Sequence, residues 1–155
     1  MANNKQFDQQ KISVSFTGIG VSTALGTRTV KNWGADKANL IDLVPQQPEA
    51  NKVIIGADGS TTTLRQYDTS TYKLTIKIFA DTDDDRYFKS IIALHQAGSE
   101  TVFAITYNDE NTGEIVATVA GSLGTLPNLI RGTEMDGNRT YIFNMPECLV
   151  TPPTA

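Results

Sequence analysis

The sequence predicts a mainly β protein: an antiparallel β-sandwich or rolled barrel with one flanking α-helix at about residues 82–97. Several short segments alternate apolar and polar residues and are separated by turn-forming residues, which is typical of sandwiches and barrels. A single segment shows helical spacing instead. The chain has 155 residues with 39% hydrophobic and 19% charged residues, which favours one folded domain over a disordered polyelectrolyte.

The stretch from Asn51 to Gly98 contains the clearest elements. The strand Thr71 to Phe79 has period-two alternation, with Tyr72, Leu74, Ile76 and Ile78 on one face. Before it, Val53-Ile54-Ile55 leads into Gly56-Ala57-Asp58-Gly59-Ser60, a tight reversal. Thr61 to Tyr67 then has residues suited to a sheet but no clearly apolar face. We expect this segment to face water on one side and another chain on the other.

The helix begins with a predicted capping box, with Thr82 as the N-cap and Asp85 three residues later. The acidic residues of the first turn suit the positive end of the helix dipole. One apolar stripe follows at helical spacing: Tyr87, Phe88, Ile91, Ile92 and His95. Gly98 is a natural stop.

The rest of the chain is organised around further short strands. These are Lys11–Thr17, Asn39–Val44, Glu100–Tyr107, Glu114–Gly121, Leu129–Met135 and Arg139–Met145, the last two forming a hairpin around Asp136-Gly137-Asn138. Gly18-Ile19-Gly20 is expected to end the first strand. The predicted organisation is a polar N-terminal arm at 1–10, one β domain at 11–150 with a long loop at about 18–52, and a Pro-rich tail at 151–155.

Composition excludes several classes of function. The net charge of −4 and a pI of about 4.9 give no general attraction to nucleic acid phosphates. The one cysteine, Cys148, excludes an internal disulfide and the common zinc patterns. No apolar run approaches the roughly 20 residues of a membrane span. The first residues lack the apolar region of a signal peptide.

One acidic pattern invites a metal hypothesis. Asp81, Asp83 and Asp85 have the 1-3-5 spacing of a calcium loop, but Arg86 and Ile92 stand where glycine and glutamate are required. Helix capping explains these acids better. We therefore predict no metal site.

The other candidate residues also favour structural roles. His95 is the only histidine and has no partner motif, and Cys148 is expected to be a buried, inert thiol. Gly18-Ile19-Gly20 lacks the third glycine of a dinucleotide fingerprint. The sequon Asn138-Arg139-Thr140 is interpreted as a hairpin turn. The sequence thus predicts no catalytic, cofactor-binding or metal-ligating residue, no cofactor and no enzymatic activity.

The chain resembles the tail tube proteins of contractile-tailed bacteriophages. The residues that carry the resemblance are Lys11-Ile12-Ser13-Val14, the block Val53 to Ser60, the strand Tyr72 to Ile76 and the helix Asp83 to Leu94. The resemblance covers roughly Lys11 to Ala120. Related tubes occur in type VI secretion systems and phage-tail-like bacteriocins.

The resemblance implies a structural virion protein that self-assembles. Six subunits would form a ring whose inner sheets join into one barrel, and stacked rings would form the channel for DNA ejection into the host. The implied partners are other copies of the chain, a tail sheath protein outside, and a baseplate and tail terminator at the ends. DNA would pass through without specific binding. The implied location is the virion tail, assembled in the host bacterial cytoplasm.

Some residues suit this picture. Thr61 to Tyr67 and the Lys/Thr face of Thr71 to Phe79 have the mixed polarity expected of strands around a wide channel, with Lys73 and Lys77 facing the channel or pairing with acids of other subunits. The 18–52 loop is expected to reach a neighbouring copy. Trp33 is either an interface anchor or packed in its own subunit. The alternative function is a monomeric β-sandwich that recognises a glycan or protein, as in tail fibres or adhesins.

Overall fold

The computed structural model describes residues 11–34, 40–46, 48–65, 70–127 and 138–154. The strands are β1 (Ile12–Ile19), β2 (Thr27–Thr29), β3 (Ile41–Pro45), β4 (Asn51–Ile55), β5 (Thr61–Arg65), β6 (Tyr72–Phe79), β7 (Val102–Asp109), β8 (Glu114–Thr125), β9 (Asn138–Met145) and β10 (Leu149–Thr151). The α-helix α1 spans Asp83–Gln96, and a 3-10 helix spans Gly20–Leu25. The prediction of a mainly β protein with one α-helix is confirmed over these residues.

Most strands belong to one antiparallel sheet in the order β2-β1-β7-β8-β9-β6-β3. β10 adds to the start of β8, opposite Ile115 to Ala117. β4 and β5 form a separate two-stranded hairpin. Over the residues described, the large sheet ends at β2 and at β3 and does not close into a barrel. Of the two predicted forms, the sandwich is therefore the one that matches.

The large sheet folds over on itself. β1 and β9 are separated by β7 and β8, so in a flat sheet they would lie about 14 Å apart. The rings of Phe16 on β1 and Phe143 on β9 instead have centroids 4.8 Å apart. β8 forms the corner because its first part pairs with β7 and its last part with β9, with register shifts in both ladders. We call β2, β1, β7 and the start of β8 the first layer, and the end of β8, β9, β6 and β3 the second layer.

One residue makes the corner in β8 possible. A Cβ added to Gly121 would lie 2.4 Å from Cδ1 of Ile105, so only glycine fits where β8 crosses the side chains of β7. This close approach lets the chain leave the first layer and enter the second without a break in the strand.

The core between the layers is built around Phe88 of the helix. Its ring is 5.0 Å from Phe16 in the first layer and 5.0 and 5.4 Å from Tyr141 and Phe143 in the second. All four side chains are fully buried. Leu74, Ile76 and Ile78 are buried as the alternation of β6 predicts. The helix therefore packs on both layers through one aromatic cluster.

The contacts at the start of the helix differ from the prediction, and those at its end agree with it. Thr82 occupies the N-cap position, but its hydroxyl donates to the carbonyl of Phe79, so the predicted capping box is wrong. At the other end Gly98 has φ +87°, and the amides of Gly98 and Ser99 donate to the carbonyls of His95 and Leu94. This is a Schellman ending, and it confirms Gly98 as the stop.

Several boundaries differ from the sequence prediction. β1 continues through Gly18 to Ile19, and the 3-10 helix follows directly. The stretch 18–52, expected as a long loop, holds that helix, β2, β3 and the start of β4. Asn138 begins β9 and pairs with Phe79, so the turn predicted at Asn138-Arg139-Thr140 is wrong. The arm 1–10 and the predicted strand Leu129–Met135 lie outside the described residues.

The C-terminal tail is attached to the sheet. Thr151 belongs to β10, and the amide of Thr154 donates to the carbonyl of Thr112 at 2.7 Å. Pro152 and Pro153 follow the end of β10, consistent with the position of proline outside sheet interiors.

Substitution of Phe88 tests the core. Phe88→Ala should lower the free energy of unfolding by about 3–5 kcal/mol, because it removes a ring that contacts both layers and leaves a cavity. Urea denaturation followed by circular dichroism measures the change. The exposed Leu126→Ala is the control and should change stability by less than about 0.5 kcal/mol. A loss below about 1 kcal/mol for Phe88→Ala would contradict this description of the core.

Candidate assembly surface

Two adjacent buried carboxylates, Asp84 and Asp85, attach the helix to the sheet. Asp84 is fully buried and accepts three hydrogen bonds. The donors are the guanidinium Nε of Arg28 on β2 and the amides of Lys31 and Asn32, the amides at 2.7 and 2.6 Å. A buried charge is tolerated only when it is paired and hydrogen-bonded, and Asp84 meets both conditions. It connects the first turn of α1 to the first layer and to the segment after it.

Asp85 makes the equivalent connection to the second layer. Its carboxylate accepts from Nη1 of Arg139 at 2.8 Å, from the hydroxyl of Tyr141 at 2.6 Å and from the amide of Asp81 at 3.0 Å. Lys89 on the helix lies 3.5 Å away. Arg139 is only 4% exposed, so this ion pair lies in the protein interior. The acids expected to serve only as helix caps are therefore the contacts that hold the helix in place.

These contacts shift the pKa values of both partners. Burial raises the pKa of Asp85, but the hydrogen bonds from Tyr141 and Asp81 and the charges of Arg139 and Lys89 outweigh it, so the pKa lies below its usual value. Burial, followed by the hydrogen bond to the charged Asp85, raises the pKa of Tyr141. Asp85 is therefore ionised and Tyr141 neutral near pH 7.

Two acids of the calcium-like pattern lie at one arginine, and the third points to another. Asp83 is exposed and pairs with Arg86 at 3.1 Å, Asp85 pairs with Arg139, and Asp81 lies 4.0 Å from Nη2 of Arg139. In the part of the chain that the structure describes, no three acidic, histidine or cysteine side chains form a group able to hold a metal ion.

The structure also locates the other candidate residues. His95 is exposed in the last turn of α1, so its assignment to the apolar stripe is wrong. It lies beyond the edge of the packed face of the helix. Cys148 is half-buried rather than buried, and its thiol donates to the carbonyl of Met145 at 3.1 Å. Burial raises the pKa of this thiol. Trp33 packs against the core of its own chain and forms an isolated bridge with Ile78.

The β4–β5 hairpin is unusual because its large apolar side chains are exposed. Every residue of both strands is exposed. Four of them are large and apolar: Val53, which is 57% exposed, Ile54, Ile55, which is 73% exposed, and Leu64. By register, Val53 and Ile55 lie on one face of the hairpin, and Ile54 and Leu64 lie on the other. Exposed large apolar side chains indicate a surface that another molecule covers. This hairpin is our candidate assembly surface.

The sequence explains why this hairpin forms although it has no core. Gly59 adopts φ +85°, and the amide of Gly56 donates to the carbonyl of Ser60 at 2.7 Å. The carboxylate of Asp58 accepts from the amide and hydroxyl of Ser60, and the hydroxyl bond lowers the pKa of Asp58. The turn predicted at residues 56–60 is thus confirmed, and it holds β4 and β5 in register.

The position of the hairpin follows from its neighbours in the chain. β3 comes before β4 and pairs with β6, which comes after β5. The last pair of that ladder is Pro45 with Tyr72, and the first pair of the hairpin is Asn51 with Arg65. β4 and β5 therefore form the outer half of one long hairpin whose inner half belongs to the second layer. Gln66 and Tyr67, predicted as the end of the polar strand, lie outside the described residues.

Comparison with known proteins places this fold in a structural class. No family model matches the sequence, and no curated protein matches it. Among solved structures, a chain of the PVC sheath–tube complex, an extracellular contractile injection system in its extended state, is similar with a TM-score of 0.59. The two share 9% identity over 97% of this chain and 94% of that one. The tube-terminating cap of the anti-feeding prophage gives a TM-score of 0.49 at 10% identity, over 98% and 95% of the two chains.

The chain therefore has the fold of a contractile-tail tube-like protein, and the resemblance predicted from the sequence is confirmed at the level of fold. The similar chain comes from a complex that contains a tube and a sheath. No helix among the described residues is long and apolar enough to cross a membrane.

The buried Asp85 predicts a specific pH dependence. Asp85→Asn should destabilise the protein by about 3–5 kcal/mol at pH 7, because it leaves the charge of Arg139 buried without its closest partner. The folded-state pKa of Asp85 is depressed, so its stabilisation is complete above the unfolded-state pKa of about 4 and is lost as pH falls through the folded value. The stability gap between wild type and variant should therefore shrink as pH falls from 6 to 2.

Urea denaturation at several pH values measures that gap. Asp83→Asn is the matched control because Asp83 is in the same turn but exposed, and it should change stability little at any pH. A gap for Asp85→Asn that stays constant across this range would show that its charge is not what Arg139 and Tyr141 recognise.

Proposed function

We propose that this chain is a tail tube subunit that assembles into hexameric rings, which stack into the channel of a contractile phage tail. The observation that carries the proposal is the β4–β5 hairpin. Its apolar side chains, above all Val53 and Ile55, are exposed in a single copy. Exposed apolar surface of this kind marks a site that a partner covers, and a self-assembling subunit supplies that partner in every neighbouring copy.

The open edges of the folded sheet support ring formation. Within the described ranges β3 pairs only with β6, and the last residues of β8 pair only with β9. The second layer thus ends in two different edges. A ring requires one surface of each copy to meet a different surface of the next. Joining β3 of one copy to the end of β8 in the next would satisfy both edges and close the sheet around a channel.

The similar fold supports the place of this subunit in a larger particle. The similar chain belongs to a complex of tube and sheath, and we extend that arrangement to this chain. A sheath protein then surrounds the tube, and a baseplate and a tail terminator close its ends. The particle is a virion assembled in the bacterial cytoplasm. The role is structural and involves no catalysis.

The charges of the chain fit a channel that does not bind its cargo. The net charge of −4 repels DNA weakly. Lys73 and Lys77 lie on the outward face of β6, but the register places Asp42 opposite Thr75, as a diagonal neighbour of both lysines. We propose that this face lines the channel, where the acid offsets the two positive charges and DNA passes without specific contacts.

Purification of the full chain tests the proposal. Size-exclusion chromatography with light scattering and negative-stain microscopy should show six-fold rings or stacked tubes. A clean monomer at high concentration would instead favour the alternative, a binding module for a glycan or another protein.

The hairpin should be required for assembly but not for folding. Ile55→Asp places a charge on the exposed apolar surface, so rings and tubes should be lost, while the melting temperature of the single subunit should change by less than about 2 °C. Ile55→Val keeps the apolar surface and should assemble as the wild type does. Light scattering and differential scanning calorimetry measure the two properties. Normal tubes formed by Ile55→Asp would remove the hairpin from the assembly surface.

A further inference from the structure

A second exposed apolar surface lies on the first layer, around β10. Leu149 is 74% exposed, Val119 is 76% exposed, and Val150 is also exposed. Leu149 pairs with Ala117 of β8, and residues in register share one face of a sheet. Val119 follows two residues further along the same strand. Leu149, Ala117 and Val119 form an apolar surface on this face, which we call the β10 patch. Val150 pairs with the buried Val116 and lies on the opposite face.

Hydrogen bonds on both sides of β10 attach the patch to the sheet. The hydroxyl of Thr118 donates to the carbonyl of Pro146 just before β10. After β10 the amide of Thr154 donates to the carbonyl of Thr112. β10 pairs with β8 along one edge only, over the residues that the structure describes, so its other edge presents backbone donors and acceptors. The patch is thus a preformed edge that another strand can extend.

Most of the charges around the patch are negative, although Lys11 lies beside Glu110, whose amide donates to the Lys11 carbonyl. Glu110, Glu114 and Glu147 flank it, and the segments 100–127 and 140–154 contain no lysine or arginine. The hairpin has the opposite sign at its base, where Lys52 and Arg65 lie on the two strands. The two exposed apolar surfaces of this chain therefore carry complementary charges at their margins.

We propose that the β10 patch of one copy receives the β4–β5 hairpin of a second copy. The inference rests on the proposed tube function and names the surface that the hairpin contacts. Val53 and Ile55 pack on Leu149 and Val119, and a strand of the hairpin extends the sheet beside β10. Arg65 pairs with Asn51 and therefore shares the face of Val53 and Ile55. It lies near the acids of the partner's patch, which fixes the direction of the contact.

The contact is between copies because both surfaces are exposed within one chain. Ile55 and Leu149 are each about three-quarters exposed, so neither covers the other in a single subunit. Every copy then has one donor surface and one acceptor surface at different places. Such a contact is heterologous and repeats from copy to copy, as a ring or a tube requires.

Photo-crosslinking identifies the receiving surface directly. The photoreactive residue p-benzoylphenylalanine replaces Ile55 in the full chain, the assemblies are irradiated, and tryptic peptides are identified by mass spectrometry. Because trypsin cuts after Arg139 and not again before the end, peptide 140–155 contains β10 together with most of β9, and peptide 90–131 contains β8 together with β7. Fragmentation of each peptide in the mass spectrometer locates the linked residue. The expected product joins the hairpin of one copy to one of these two peptides, at 147–151 or 114–119.

The same probe at Leu126, an exposed apolar residue outside the hairpin, is the matched control. Leu126 follows Thr125, which pairs with Ile142 of the same chain, so this probe can link to β9 but should give no product at residues 147–151. Arg65→Glu should lower the yield of the hairpin product about two- to fivefold, as expected for one exposed ion pair. Glu147→Lys added to Arg65→Glu should restore the yield. Trypsin then also cuts after residue 147, so the products of this variant are identified on peptides 140–147 and 148–155. High salt should lower the wild-type yield in the same way.

The outcomes separate this inference from the tube proposal. Rings or tubes whose crosslinks map elsewhere would overturn the inference and leave the tube intact. Crosslinks to the β10 patch in assemblies that are neither rings nor tubes would support the inference and overturn the tube. A monomer that gives no crosslink at high concentration would overturn both.

Discussion

The fold depends on the burial of two consecutive carboxylates at the start of the helix. Asp84 and Asp85 would each be strongly destabilising in the interior if a hydrogen bond were missing. Asp84 takes its donors from the first layer and the segment after it, and Asp85 takes its donors from β9 in the second layer. The two layers and the helix must therefore reach their final arrangement together. Phe88, one turn later, is then directed between the layers, where the aromatic cluster forms around it.

Among the residues that the structure describes, this arrangement leaves the hairpin without an apolar partner. The helix and the two folded layers cover each other, and the buried cluster is complete without β4 or β5. The hairpin is a continuation of β3 and β6 beyond the region that the helix covers. A two-stranded hairpin alone is at best marginally stable in water. Its turn contacts and its link to the β3–β6 ladder hold its shape, while its side chains stay available to a partner.

Most of the helices and strands could be predicted from the sequence. The side-chain contacts that hold them against one another could not. Alternation in β6 and helical spacing in α1 identified both elements, because one face of each is buried in the same core. The role of Asp85 was missed because a carboxylate in a first helical turn has a sufficient local explanation in the helix dipole. One signal was present: Arg139 is in phase with Tyr141 and the buried residues after it. An arginine on an apolar face requires a buried acid.

The sequence also did not indicate which apolar side chains would remain exposed to solvent. Val53-Ile54-Ile55 has the composition of a buried strand, and only the fold shows that no part of the described chain covers it. His95 was misplaced for a related reason, since a stripe at helical spacing does not state where the packed face ends. Local patterns determine which element forms. The packing of distant elements determines which of their faces remain open.

An exposed hairpin of this kind must also avoid unspecific association. Long apolar edges tend to pair with any other strand, and natural proteins limit this with charges and short strands. Here Lys52 and Arg65 interrupt the apolar surface at its base, and β5 is mostly threonine. Two hairpins brought together in parallel at their bases would place like charges side by side. An acidic apolar surface elsewhere on the chain does not have this conflict, so the charge pattern disfavours hairpin–hairpin pairing and favours growth by addition of copies in one orientation.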